Sequence, residues 1–151
     1  MRDNLNGQLS SKAHVNTEKK YKILVVDDEA DIASIMKLGL EKAGFLVDAF
    51  TEPLKAFEYY QKEGQFDLAL LDIRMTPING FELYRRLQTI DKNLRVCFIT
   101  AFEIYHDEFK RVFPKIKVDC FVRKPVGIEE LVRIVTEQLD QLDTVNVPPS
   151  D

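Results

Sequence analysis

The feature that most constrains this chain is an alternation. Five short apolar runs, at residues 22–26, 45–49, 66–71, 95–99 and 118–122, are separated by segments whose apolar residues recur at helical spacing. Strand-length runs that alternate with helical patterns argue for βα units on a parallel sheet. Several of the runs are apolar at every position instead of every second one, as strands are when helices cover both faces of their sheet. The expected fold is therefore α/β, a three-layer (βα)5 sandwich. A length of 151 residues leaves room for one such domain and short extensions.

The segments between the runs carry their own start and stop signals. Ile32, Ile35, Met36, Leu40 and Ala43 form the stripe of a first amphipathic helix, with Gly44 as its stop. Pro53 opens and Gly64 closes a second, with Leu54, Phe57 and Tyr60 or Gln61 expected on its inner side. Asn79 is a good N-cap for a third, which carries Leu83, Leu87 and Ile90. A fourth is expected at about residues 103–112, before Pro114. The fifth shows Ile128, Leu131, Val132, Val135, Leu139 and Leu142, with Glu129 and Glu130 near its positive N-terminus. The domain is thus expected at residues 21–142, between polar segments at 1–20 and 143–151 that read as flexible tails.

Composition narrows the partners. With 45% hydrophobic and 30% charged residues the chain can bury a core, which rules out wholesale disorder. Lys plus Arg total 21 against 25 for Asp plus Glu, so a net charge of −4 offers no general attraction to nucleic acid or anionic membrane. Apolar runs such as 23–26, 68–71 and 96–99 are far shorter than the roughly 18 residues of a membrane span. The polar start lacks the apolar stretch of a secretory signal, and the expected location is the cytoplasm. Cys97 and Cys120 lie in apolar stretches without Cys-x-x-Cys spacing, so both are read as buried free thiols and not as a disulfide or zinc site.

In open parallel sheets polar chemistry gathers beyond the carboxyl ends of the strands. The first run ends in Asp27-Asp28-Glu29, the third in Asp72, the fourth in Thr100-Ala101 and the fifth, after Arg123, in Lys124-Pro125. Singly, each has a bland explanation. Asp27 or Asp28 caps the first helix, Asp72 caps a turn before Pro77, Thr100 forms a capping box with Glu103, and Lys124 is a solvated lysine. Together on one rim they are harder to dismiss. Carboxylates about 5 Å apart repel by about 3 kcal/mol per pair at an effective dielectric near 20. A hard divalent cation relieves that repulsion, and Mg²⁺, which binds through one or two carboxylates plus phosphate oxygens, suits the set best.

With these residues in this order, the chain resembles the receiver domain of two-component response regulators over residues 21–142. The resemblance rests on Asp27-Asp28, Asp72, Gly80 eight residues later, Thr100-Ala101 and Lys124-Pro125. It implies a flavodoxin-like sheet of strand order 2-1-3-4-5. It also implies that Asp72 is the phosphoacceptor, taking a phosphoryl group from a sensor histidine kinase or histidine phosphotransfer protein. Asp28, Asp72 and the main-chain carbonyl of Arg74 would bind Mg²⁺, with Asp27 acting through a water. Lys124, the Thr100 hydroxyl and the Ala101 N–H would take phosphoryl oxygens. In the family a threonine and an aromatic residue form the switch, here Thr100 and Phe121, and the fourth helix, fifth strand and fifth helix present the signal to a protein target. The domain would catalyse only its own phosphorylation and dephosphorylation. One departure stands out: Pro77 falls five residues after the acceptor where the family places proline four after. Phe102, two after Thr100, is expected to shield an aspartyl phosphate from water.

The expected function is a stand-alone receiver that signals by binding another protein. Two other readings compete. A haloacid-dehalogenase-like phosphohydrolase also uses an aspartate, Mg²⁺ and lysine, but it requires Asp-x-Asp after the first strand where this chain has Asp27-Asp28-Glu29. A receiver-like adaptor without phosphorylation would have no need of the acceptor, Thr and Lys set. Other signals were weaker. Gly39 and Gly44 have P-loop spacing, but Phe45-Leu46 replaces Lys-Ser/Thr. His14 and His106 read as surface residues, and Lys19-Lys20-Lys22 and Arg85-Arg86 are too short for a nucleic-acid stripe. Some of Tyr59, Tyr60, Tyr105, Phe109 and Phe113 are candidates for partner contacts.

Overall fold

The computed structural model describes residues 19–101, 107, 110, 111 and 120–146, the last five of them by backbone alone. Five strands, β1 (Lys22–Val26), β2 (Leu46–Phe50), β3 (Leu68–Asp72), β4 (Arg95–Thr100) and β5 (Cys120–Arg123), make one sheet. Its order is β2-β1-β3-β4-β5, all parallel, as the resemblance implied. The helices are α1 (Ala30–Lys42), α2 (Pro53–Glu63), α3 (Gly80–Ile90) and α5 (Ile128–Asn146). The label α4 is kept for the helix expected between β4 and β5, of which residues 107, 110 and 111 are described and helical. No described helix is long and apolar enough to cross a membrane.

Burial explains the uninterrupted apolar runs. Residues 23–26 of β1 and 68–71 of β3 are fully buried because both sheet faces are covered. On one face Leu24, Val26, Ala69, Leu71 and Phe98 pack with Ala56 and Tyr60 of α2 and Leu83, Tyr84 and Leu87 of α3. On the other, Ile23, Val25, Leu68, Leu70 and Ile99 pack with Met36 and Leu40 of α1 and Leu131, Val135 and Leu139 of α5. Each Leu, Ile, Val or Met among them contributes about 1.5–3 kcal/mol on burial.

The helices turn their faces differently from the simple stripes. In α1 the buried residues are Ala33, Met36 and Leu40, while Ile35 is 52% exposed and Ala43 is the exposed C-cap. The rotation follows from α5: a Cβ on Gly39 would lie 2.5 Å from Ile128 Cγ2, so the helices approach where α1 lacks a side chain. In α2 the inner row is Pro53, Ala56 and Tyr60, with Leu54 and Gln61 exposed and Phe57 half-buried. Tyr60 is fixed there by a 2.9 Å bond from its hydroxyl to Asp91, the C-cap of α3. In α3 Leu83 and Leu87 are buried as expected, but Ile90 at the last turn is 41% exposed. Asn79 is the N-cap, its side chain accepting from Glu82 N at 2.9 Å. The last helix runs to Asn146, past the expected end at 142, because no breaker precedes Pro148.

The reading of the cysteines is overturned as well. Cys97 and Cys120 are not free thiols: they form a disulfide between β4 and β5. The two runs looked like separate buried strands in sequence. Strand order makes them neighbours, and register places Cys97 directly opposite Cys120. Of the aromatic residues considered for partner contacts, Tyr60 is buried and Tyr59 is half-buried against Phe50 and Phe66. Tyr105, Phe109 and Phe113 lie outside the described residues, as do Phe102, Glu103 and Val118.

Candidate functional site

Parallel strands end on the same side, so the residues that follow β1, β3, β4 and β5 share one rim. Asp27 leaves β1 with no exposed surface and is held by its backbone N–H, which donates to the Phe50 carbonyl at 3.0 Å. Its Oδ1 accepts from Glu29 N at 2.9 Å. The cap position of α1 falls on Glu29, whose side chain makes no capping bond, so neither Asp27 nor Asp28 caps that helix. Asp28 is exposed and Asp72, the last residue of β3, is buried. Carboxylate oxygens of Asp27, Asp28 and Asp72 all lie within 4.8 Å of one another.

Lys124 enters this cluster from β5. Its backbone N–H donates to the Thr100 carbonyl at 2.7 Å, and its side chain is only 14% exposed. The ammonium nitrogen lies 2.8 Å from Asp27 Oδ2, 3.2 Å from Glu29 Oε1 and 3.6 Å from Asp72 Oδ1. Burial opposes its charged form, but the bond to Asp27 and the charges of Asp72 and Asp27 outweigh that and raise its pKa. For Asp72 the balance tips the other way. Burial first, then the Asp27 charge, push its carboxyl up to about 7 against the pull of Lys124, and Asp28 adds to the rise. One ammonium therefore leaves the carboxylate repulsion only partly offset.

That imbalance bears on metal binding. Asp27 Oδ2 is buried and faces the Lys124 ammonium at 2.8 Å as an ion pair, with no other protein donor in reach among the described residues. A buried oxygen in that condition, beside two further carboxylates, is a set of hard donors that fits Mg²⁺.

The remaining expected residues lie on the strands and loops that carry the cluster. Thr100 ends β4 and is 5% exposed, and Ala101 follows it at the surface. Arg74 is exposed two residues beyond Asp72. Phe121 is half-buried on β5 against Phe98, with ring centroids 5.4 Å apart. Gly80 begins α3 where a side chain would not fit: a Cβ would lie 2.3 Å from the Asp72 carbonyl oxygen. Its N–H donates to the Ile73 carbonyl at 2.8 Å. The loop between them contains a cis Thr76–Pro77 peptide bond.

Two features were not anticipated from sequence. Glu29 reaches Lys124, and the only hint was a third acidic residue after the first run. A depression beside the cluster is lined by Asp28, Arg74, Thr76 and Asn79 over Met75 and Phe81. It has no sequence signature, because its walls come from two loops that meet only in the folded chain.

Comparison with known proteins shows the family and the fold. A family model, the response regulator receiver domain, matches residues 23–136. The chain is 29% identical over 111 residues to the transcriptional regulatory protein CusR of Escherichia coli, covering 74% of this chain and 48% of that one. It spans about half the length of most of the curated relatives it matches. Among solved structures, a CheY-like receiver domain protein of Methanospirillum hungatei aligns with a TM-score of 0.74 at 23% identity, covering 85% of this chain and all of that one. The response regulator TrrA of Thermotoga maritima, solved in complex with Mg²⁺-BeF, aligns with a TM-score of 0.66 at 28% identity over 78% of this chain and 97% of that one.

Proposed function

The chain belongs to the response regulator receiver family, and from that premise we propose that Asp72 accepts a phosphoryl group from a phosphohistidine on a sensor kinase or phosphotransfer protein. The observation that carries this reading is the pairing of a buried Asp72 with two further aspartates and with the Lys124 ammonium 3.6 Å away. An Asp72 oxygen attacks phosphorus, the bond to the histidine nitrogen breaks, and that nitrogen leaves with the electron pair. Asp28, Asp72 and the Arg74 carbonyl would hold Mg²⁺, with Asp27 reaching it through a water. When bound, the ion supplies the positive charge that lets three carboxylates and a phosphoryl group share the site. Lys124 moves from Asp27 and Glu29 onto one phosphoryl oxygen, and the Thr100 hydroxyl and Ala101 N–H take another.

The family assignment and the Asp27-Asp28-Glu29 sequence after β1 both favour the receiver reading over a phosphohydrolase. We place the domain in the cytoplasm, where its phosphodonors are, and assign its output to protein partners of the α4-β5-α5 face, with Thr100 and Phe121 as the switch. No role in binding nucleic acid or membrane is proposed for this domain, whatever it is joined to. Incubation with acetyl phosphate and Mg²⁺ followed by intact-mass measurement tests the reading. Wild type should gain one phosphoryl group and Asp72→Ala none. No gain in wild type would favour the adaptor reading, and equal gain in both proteins would move the acceptor elsewhere.

A further inference from the structure

We propose that Cys97 and Cys120 form a reversible disulfide, a latch that sets how firmly β5 is held to β4. The bond joins positions already opposite in the ladder, where Phe98–Phe121, Ile99–Val122 and Thr100–Arg123 are paired beside it. The sheet therefore does not need it to bring these strands together. What it changes is the freedom of β5, a strand of four residues at the sheet edge with β4 as its strand neighbour. A short edge strand is the part of a parallel sheet least restrained by the rest.

The latch sits on the strands that serve the site. Cys97 precedes Thr100 by three residues on β4, Cys120 adjoins Phe121, and β5 leads directly into Lys124, whose N–H is bonded to the Thr100 carbonyl. Both sulfurs lie on the face packed by α5, among Ile99, Val122, Leu131 and Val135. Any slackening of β5 is thus felt on both the α5 side and the phosphoryl side. The regulatory consequence rests on the function proposed above. In the cytoplasm small thiols keep most cysteines reduced, and disulfides that do form there are mostly transient.

The chemistry balances as thiol–disulfide exchange with glutathione. Cys97 and Cys120 are both buried, so exchange proceeds when β5 opens, and Cys120 on that edge strand is the sulfur then exposed. Its thiolate attacks glutathione disulfide and expels one glutathione thiolate. The Cys97 thiol then loses its proton, attacks the Cys120 sulfur and expels the second. Two protein thiols are oxidised, glutathione disulfide is reduced to two thiols, and the reverse sequence opens the latch.

The full chain is equilibrated across glutathione redox ratios, quenched in acid, denatured, and labelled with N-ethylmaleimide for mass counting. The expected result is a crossover from two labels to none within that series. Hydrogen exchange of the unphosphorylated protein should then show protection across residues 120–123 at least tenfold lower in the reduced form, with 22–26 and 68–72 unchanged. Cys97→Ser/Cys120→Ser should match the reduced form at every ratio. After acetyl phosphate loading, the change in β5 and α5 protection should be at least threefold larger in the reduced protein. Two labels at every ratio, none at any ratio, or equal β5 protection in both forms would overturn the latch. Failure of Asp72 to take phosphate in either form would instead overturn the site reading, while the label count and β5 exchange still decide the latch.

Discussion

At Asp72, burial and the Asp27 charge push a carboxyl up to about 7, against an ordinary value near 4 in an unfolded chain. The folded protein thus holds this proton more tightly than the unfolded one. The stability linked to it is complete below about pH 4 and is lost as pH rises through 7. Asp72→Asn keeps the shape and removes the ionisation. In Mg²⁺-free buffer at pH 8 it should be more stable than wild type by about 2–4 kcal/mol, at ~1.4 kcal/mol per unit of pKa difference, with the gap closing toward pH 4. Urea unfolding at the two pH values measures it, and parallel curves for both proteins would sink the argument. The same crowding makes Lys124 responsive to its surroundings, because three carboxylates compete for one ammonium.

The β3–α3 connection shows how one element holds another in place. Gly80 lets the start of α3 rest against the backbone of Asp72 and Ile73, with Asn79 capping the helix beside it. An alanine there would press its Cβ against backbone atoms, which yield less readily than the end of a side chain. Gly80→Ala should therefore lose about 1–3 kcal/mol of stability despite alanine's better helix propensity. Because the displaced atoms belong to Asp72, its rate of phosphorylation by acetyl phosphate should fall as well. A variant with wild-type midpoint and wild-type rate would show that the loop absorbs the methyl group. The helix faces carry a related lesson: Ile35 and Leu54 fit an apolar stripe by spacing yet stay outside, because Gly39 against Ile128, and Ala56 on α2, mark where the helices close on their neighbours.

For the molecule as a whole, the rim is a concentration of negative charge that exists only when β1 and β3 are assembled side by side. A cation that binds this rim and not the unfolded chain must stabilise the fold by mass action. At a hundredfold excess over its dissociation constant, Mg²⁺ should add about 2.7 kcal/mol, or roughly 5–10 °C in Tm for a chain of this size. Calorimetry with Mg²⁺ and with chelator checks this, and Asp72→Ala should lose most of the gain. An identical Tm in chelator and in Mg²⁺ would argue against a cation site. Much of this was legible in the sequence. The alternation of runs and stripes determined the element types, and the residues closing each run determined which side chains reach the rim, since both depend only on local periodicity and chain order. Three things were decided by tertiary structure alone: the Cys97–Cys120 bond, the reach of Glu29 to Lys124, and the rotation of α1 and α2. Each depends on which residues stand opposite one another across strands or helices, and that is set by register and packing between segments distant in the chain.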